Sequence, residues 1–269
     1  VEQYPAPPAR SSAFHIGGQL IPVFDYRIIT GLVPLSALRE KARENGASVT
    51  EYISAALFWA FQEHIDSLPP RRRRKAKLKP LRILVPVNMR PFYPTQTRRN
   101  FFTYIDPEID LRLGSYDFSE IVQRVHNYMQ VERSHKSLNR HLSRNVSSER
   151  SWYVRIIPLW IKDLVLKAVY RHSGDGKNST SFSNLGGLVL PDEVSRHVQW
   201  AEFIPPPSVV YGFSVAAISS GDVLTVSFGS LLKDPEIERR FFRFLRKQGI
   251  VSKVISNKEV LCPTVQNAE

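Results

Sequence analysis

Two stretches of the sequence hold residue types able to do chemistry. In Ser179-Thr180-Ser181-Phe182-Ser183-Asn184-Leu185-Gly186 small hydroxyls alternate with larger groups. An extended backbone there puts Ser181 and Ser183 on one face and Phe182 and Asn184 on the other. Such a face suits a surface that a ligand approaches closely, or else the wet side of an edge strand. The second stretch, Leu81-Arg82-Ile83-Leu84-Val85-Pro86-Val87-Asn88-Met89-Arg90, is an apolar run of strand formers that stops at polar groups. Ligands of open α/β sheets gather at strand ends, which sets Asn88 and Arg90 where chemistry is done. The alternative is that Asn88 caps a turn and Arg90 faces water.

Other reactive residue types are present without a reactive arrangement. There is no phosphate-binding glycine loop, no nucleophile elbow and no metal-ligand cluster. His64 falls at the end of a helical pattern, as a surface or capping residue, and a solvated role is expected for His126, His135 and His141. Cys262 stands in a C-terminal tail far from any histidine partner, which argues against thiol catalysis. The run from Arg71 to Lys79 has the charge to grip phosphates, but no aromatic residue interleaves it to stack bases, and prolines bracket it. A solvated, mobile loop is the expectation, and nucleic-acid binding ranks last among the functional readings.

The elements that must position these residues follow from periodicity. Residues 1–13, with Pro5, Pro7 and Pro8, read as an arm or linker, and Phe14 to Phe24 as a hairpin turning at Gly17-Gly18. A strand over Tyr26–Val33 ends at Pro34. Leu35 to Asn45 reads as a helix closed by Gly46, and Ser48-Val49-Thr50-Glu51 as a capping box opening a long buried helix. After an extended segment from Thr103 to Leu111, the region of Gly114 to Asp117 starts a helix with Ile121, Val122, Val125 and Met129 inward. Ser151 to Tyr170 reads as another core helix and Gln199 to Ile204 as a short strand. Val209–Ile218 and Val223–Phe228 make an antiparallel hairpin. Asp234-Pro235-Glu236 opens the last helix, with Ile237, Phe241, Phe244 and Leu245 inside. Residues 14–250 form the lobe, and 251–269 read as an unpatterned tail.

Composition bounds the class. The 269 residues are 42% hydrophobic and 23% charged, as in a soluble globular protein able to bury a sizeable core. No apolar stretch approaches the roughly 20 residues of a membrane span. One cysteine gives no internal disulfide framework, and a reducing cytoplasm is the simplest compartment. A formal net charge of +12 favours an acidic or phosphorylated partner without selecting one. The chain opens on Val rather than Met, from which the expectation is a piece of something longer.

The run Val85-Pro86-Val87-Asn88-Met89-Arg90, continuing to Arg99-Asn100-Phe101-Phe102, together with Ser183-Asn184-Leu185-Gly186 and the closing hairpin and helix, resembles a known family. It is similar to the C-terminal half of the CoA-dependent acyltransferases that include chloramphenicol acetyltransferase and peptide-synthetase condensation domains. The nearest likeness is to alcohol-acetyltransferase-like proteins of that group. The resemblance covers roughly Phe14 to Ile250. It implies an α/β (α+β) lobe with a mixed, mostly antiparallel sheet packed with helices, one side of a substrate tunnel. The implied reaction moves an acyl group from acyl-CoA or a carrier-protein thioester to a hydroxyl or amine of a small-molecule acceptor, with no permanently bound cofactor and no metal.

The family's catalytic motif, two adjacent histidines followed after three residues by Asp-Gly, belongs to the other lobe and is missing from this sequence. His172-Ser173-Gly174-Asp175-Gly176 has a single histidine and one residue too few, and it is a decoy. By the resemblance, Ser181 or Ser183 is the hydroxyl that steadies the oxyanion, and Asn88, Arg90, Asn100 and Asn184 line or brace the tunnel. The expected partner is the N-terminal lobe of the same enzyme. A non-catalytic binding or assembly module of the same fold is the second expectation.

Overall fold

A computed structural model describes residues 11–150, 158–159, 161–163 and 175–257, the side chains of 144–150 excepted. Eight strands make one mixed sheet: β1 (Arg27–Pro34), β2 (Leu81–Asn88), β3 (Phe102–Ile105), β4 (Glu108–Ile109), β5 (Thr180–Gly187), β6 (Phe213–Ser220), β7 (Val223–Ser230) and β8 (Lys253–Ser256). Their order is β3-β2-β5-β6-β7-β1-β8, with β4 also on β2. β5 runs parallel to both β2 and β6, and every other pairing is antiparallel. The Ser-rich strand is therefore not an edge but the middle of the sheet.

One face of the sheet is covered by helices. α1 (Leu35–Glu44) ends at Gly46, whose φ of 64° is the left-handed conformation a helix stop needs. α2 (Val49–Ser67) opens with the expected capping box: the Ser48 side chain accepts from the Glu51 N–H, and the Glu51 carboxylate accepts from the Ser48 N–H at 2.7 Å. Apolar on almost every side, α2 is the buried axis of the lobe, with Tyr52, Ile53, Leu57, Phe58 and Phe61 fully enclosed. It packs against the sheet, against α4 (Phe118–Glu132) and against the last helix, α7 (Glu236–Lys247). Phe182, Phe213, Val215 and Phe228 meet these helices from the sheet.

Several expectations fail for identifiable reasons. The basic run is not a mobile loop but α3 (Pro70–Lys77): Pro70 occupies the first helical turn, where its missing N–H costs nothing, and Arg, Lys and Ala are good helix formers. Phe14 to Phe24 is no hairpin, because its backbone pairs elsewhere: Ile21 N–H donates to Leu231 O and Lys233 N–H to Gln19 O. Gln199 to Ile204 forms no strand: its Ala201 carbonyl is taken from the side by the Thr225 hydroxyl, and three prolines follow. Part of the unpatterned tail, Lys253–Ser256, is the strand β8 on β1. His135 and His141 lie on a helix, α5 (His135–Arg150), and His141 is buried with Nε2 3.2 Å from Glu132 Oε2 rather than solvated. His126 likewise meets Glu51, at 3.2 Å. Burial, and then the Arg240 guanidinium, hold the half-buried His64 below its ordinary pKa. The helix expected over Ser151–Tyr170, most of the His172–Gly176 decoy and Cys262 lie outside the described residues.

Candidate functional site

The face of the sheet turned away from α2 is built of small residues. Ser183, Ala216, Ser227 and Thr30 stand side by side across β5, β6, β7 and β1. One step along, Ser181 sits opposite Leu84 of β2, and Ser214 opposite Gly229. Strand alternation gives the middle of this face its composition: Phe182, Phe213, Val215, Val226 and Phe228 face the helices, and Ser181, Ser183, Ser214, Ala216, Ser227 and Gly229 between them face the other way.

A strap covers only part of this face. The chain between β5 and β6 passes through a short helix, α6 (Asp192–Ser195), and then runs back over the sheet. The Thr225 hydroxyl donates to Ala201 O at 2.7 Å, and the Tyr26 hydroxyl donates to Pro205 O at 2.5 Å. Gly229 makes room for this crossing: a Cβ there would lie 1.7 Å from the Tyr26 hydroxyl oxygen and 3.1 Å from Pro205 O. Burial pushes the Tyr26 phenol up to about 12, so it remains a proton donor through neutral and mildly basic pH. Beneath the strap Ser214, Ala216, Ser227 and Thr30 are dry.

The β2–β5 half is left open. Leu84, Pro86 and Asn88 of β2 and Ser181, Ser183 and Leu185 of β5 share the face there, and all six keep surface in solvent. Where the strap ends, Pro206 to Tyr211 and the two serines Ser181 and Ser214 enclose a cleft of about 500 Å³. A half-exposed serine at the wall of such a cleft has a donor to offer a bound oxygen. The neighbouring hydroxyls are already committed: Thr180 donates to Phe213 O at 2.9 Å, and Thr30 and Ser227 bond each other at 3.1 Å.

The structure thus brings together three of the residues expected from sequence, Ser181, Ser183 and Asn88. Asn88 Oδ1 accepts from the Arg90 N–H at 3.1 Å, which makes it a turn cap at the rim of the open face. Arg90 is exposed, and its guanidinium donates to Arg99 O at 2.8 Å, bracing the loop that follows β2. Asn100 is exposed at the far end of that loop. Asn184 points the other way, to α2: its Nδ2 donates to Thr50 Oγ1 at 3.0 Å, and its Oδ1 accepts from the Gly186 N–H at 2.9 Å. It ties the end of β5 to the first turn of the buried helix. Sequence reasoning missed the strap, whose only signal was the proline run at 205–207, and missed the glycine beneath it.

Among the described residues no cluster of His, Cys, Asp or Glu suits a metal ion, and no helix is long and apolar enough to cross a membrane. No family model matches this chain, and no curated protein matches it. Solved structures do. The epimerization domain from the third module of tyrocidine synthetase B aligns with a TM-score of 0.51 at 12% identity, over 89% of this chain and 50% of that one. The nonribosomal peptide synthetase FmoA3, in its AMPPNP-bound form, aligns with a TM-score of 0.51 at 16% identity, over 91% of this chain and 23% of that one. This chain spans half or less of the length of either. With its mixed sheet, buried central helix and parallel Ser-rich strand, it has the condensation-domain, chloramphenicol-acetyltransferase-like fold.

Proposed function

We propose that this chain is the C-terminal lobe of an acyltransferase, whose open β2–β5 face forms one wall of a tunnel closed by a companion lobe. The observation that carries this reading is the pair of half-exposed serines, Ser181 and Ser183, on a central strand beside an open cleft. A hydroxyl held on a rigid strand is preorganised to donate to a negative oxygen as it forms. Exposed apolar groups flank the same region, Leu185 on the strand and Val209 on the strap, as expected of a surface that another lobe covers.

In the proposed reaction a histidine of the companion lobe takes the proton from the acceptor hydroxyl or amine. The acceptor attacks the thioester carbonyl of acyl-CoA or a carrier-bound acyl group. Ser183 or Ser181 donates to the resulting oxyanion, and the carbon–sulfur bond then breaks, the thiolate taking up a proton as it leaves. Among the described residues no histidine lines the cleft beside Ser181, which is why the base is assigned to the companion. The reading places the protein in the cytoplasm, where such thioesters are made. Should no histidine-bearing lobe pair with it, the same face serves a non-catalytic binding module.

The test is Ser183→Ala in the enzyme assembled with its companion lobe. Turnover should fall roughly ten- to a thousandfold with little change in stability, the usual worth of one oxyanion donor. Unchanged turnover removes Ser183 from the site, and Ser181→Ala is then the deciding variant. If both leave turnover intact, the proposed role of this face is wrong.

A further inference from the structure

At the opposite edge of the sheet from the β2–β5 face, a second cleft of about 450 Å³ opens between β8 and the start of α7. Ile29, Phe242, Val254 and Ile255 make it mainly apolar. One charged group is set into its wall. Glu238 is only 3% exposed, and its Oε1 has no hydrogen-bond partner among the described residues. A buried carboxyl oxygen left unpaired is costly, and an apolar cleft of this volume beside it is the size of a small-molecule site.

We infer that this cleft binds a small apolar molecule carrying one protonated amine, whose N–H is received by Glu238 Oε1. The apolar walls take the hydrocarbon body, and the buried carboxylate takes the charge. Of the groups around it, Asp234 and Glu236 are ion-paired with Arg239, and Glu236 also with Arg240, so these four largely offset one another. Arg27 and Lys253 oppose it: Arg27 Nη2 donates to Lys233 O at 2.8 Å while its buried Nη1 has no hydrogen-bond partner among the described residues, and Lys253 is exposed on β8. Glu238 Oε1 lacks a donor among the described residues, and the ligand supplies it. Burial raises this carboxyl to about 7, so an amine finds it charged above neutrality and protonated below. This site and the serine face share no residue, and either stands without the other.

Hexylamine, titrated into the full 269-residue chain by calorimetry, tests the inference. One-to-one binding is expected near pH 8, weakening about tenfold or more near pH 5.5 as Glu238 takes up its proton. Glu238→Gln should weaken it about tenfold or more, the worth of a hydrogen bond to a charged group. Val254→Trp, on an exposed position of β8, should block the cleft without disturbing the core, and it decides the matter if Glu238→Gln does not fold. Equal binding of 1-hexanol or hexanoate, indifference to Val254→Trp, or no binding of hexylamine at millimolar concentration would each overturn it.

Discussion

On the strapped half of the sheet face, Thr30 and Ser227 are dry and spend their hydroxyls on each other; on the open half, Ser181 and Ser183 keep part of their surface in water. Both halves set serines on the same face by the same strand alternation. What differs is the cover, and the cover decides what a hydroxyl can do. Under the strap every buried donor needs an internal partner, since an unpaired one costs about 1–3 kcal/mol. In the open half water satisfies the serines, so they carry no such penalty and can exchange water for a ligand oxygen. Structure is thus built on one side of β6 and chemistry is available on the other, from one strand pattern.

The sharpest way to break this comparison is to add bulk to each half. Gly229→Val drives a side chain into the Pro205 carbonyl of the strap and the Tyr26 hydroxyl that holds it. Denaturant unfolding should show a loss of about 3 kcal/mol, the upper range of overpacking. Ser183→Leu, a comparable increase in volume on the open half, should cost under about 0.5 kcal/mol. Equal losses would mean that both halves are packed alike.

The other face of the sheet is dry as well, and the pH dependence of stability tests how dry, because α7 buries the Glu238 carboxyl there. That carboxyl is raised from an ordinary 4.5 to about 7 by burial, so between these values the folded protein holds a proton that the unfolded chain has lost. Stability from this group is therefore full below about pH 4.5 and falls as pH rises toward 7, by on the order of 2–3 kcal/mol. Glu238→Gln should flatten that slope. A slope of the opposite sign, or none in the wild type, would show that water reaches the carboxyl.

Tyr26→Phe tests the strap more gently. The change removes the phenol donor and leaves Pro205 O without it, at an expected cost of about 1–2 kcal/mol in thermal or denaturant unfolding. The loss should appear as earlier proteolysis between residues 200 and 211. An unaltered strap would mean that the prolines alone hold it down.

Much of this was legible in the sequence wherever a local rule and the tertiary structure agree. Ser48-Val49-Thr50-Glu51 opens α2 because the two capping groups lie three residues apart on any helix, and the Ser181/Ser183 face follows from the period of a strand alone. Failures came where a distant partner decides. Residues 14–24 carry hairpin punctuation yet pair with residues 231–233, and Lys253–Ser256 becomes a strand only because β1 offers a free edge. Neither partner can be read from the segment itself. Arg71 to Lys77 failed in the other direction: charge was read as solvation, while the same residues are helix formers behind a well-placed proline. In the site, the serines were found through alternation, but which part of their face is covered depends on a strap whose course is fixed by Tyr26 and Thr225, 24 or more residues away in sequence.

The smallest effect belongs to Asn184, which the family resemblance set in the tunnel and the structure sets against α2. Its two hydrogen bonds, one to the distant Thr50 Oγ1 and one from the neighbouring Gly186 N–H, are half-buried. The second holds Gly186 at φ 78°, a left-handed turn that bends the chain away at the end of β5. Asn184→Ala should therefore cost about 0.5–1 kcal/mol of stability, and Asn184→Asp, which keeps an acceptor for Gly186, should recover part of it. In the assembled enzyme a brace of this kind should shift kcat and KM by no more than a few fold. A large rise in KM with stability unchanged would return Asn184 to the substrate, and would mean that the open face reaches around the edge of β5 to the N-terminus of α2.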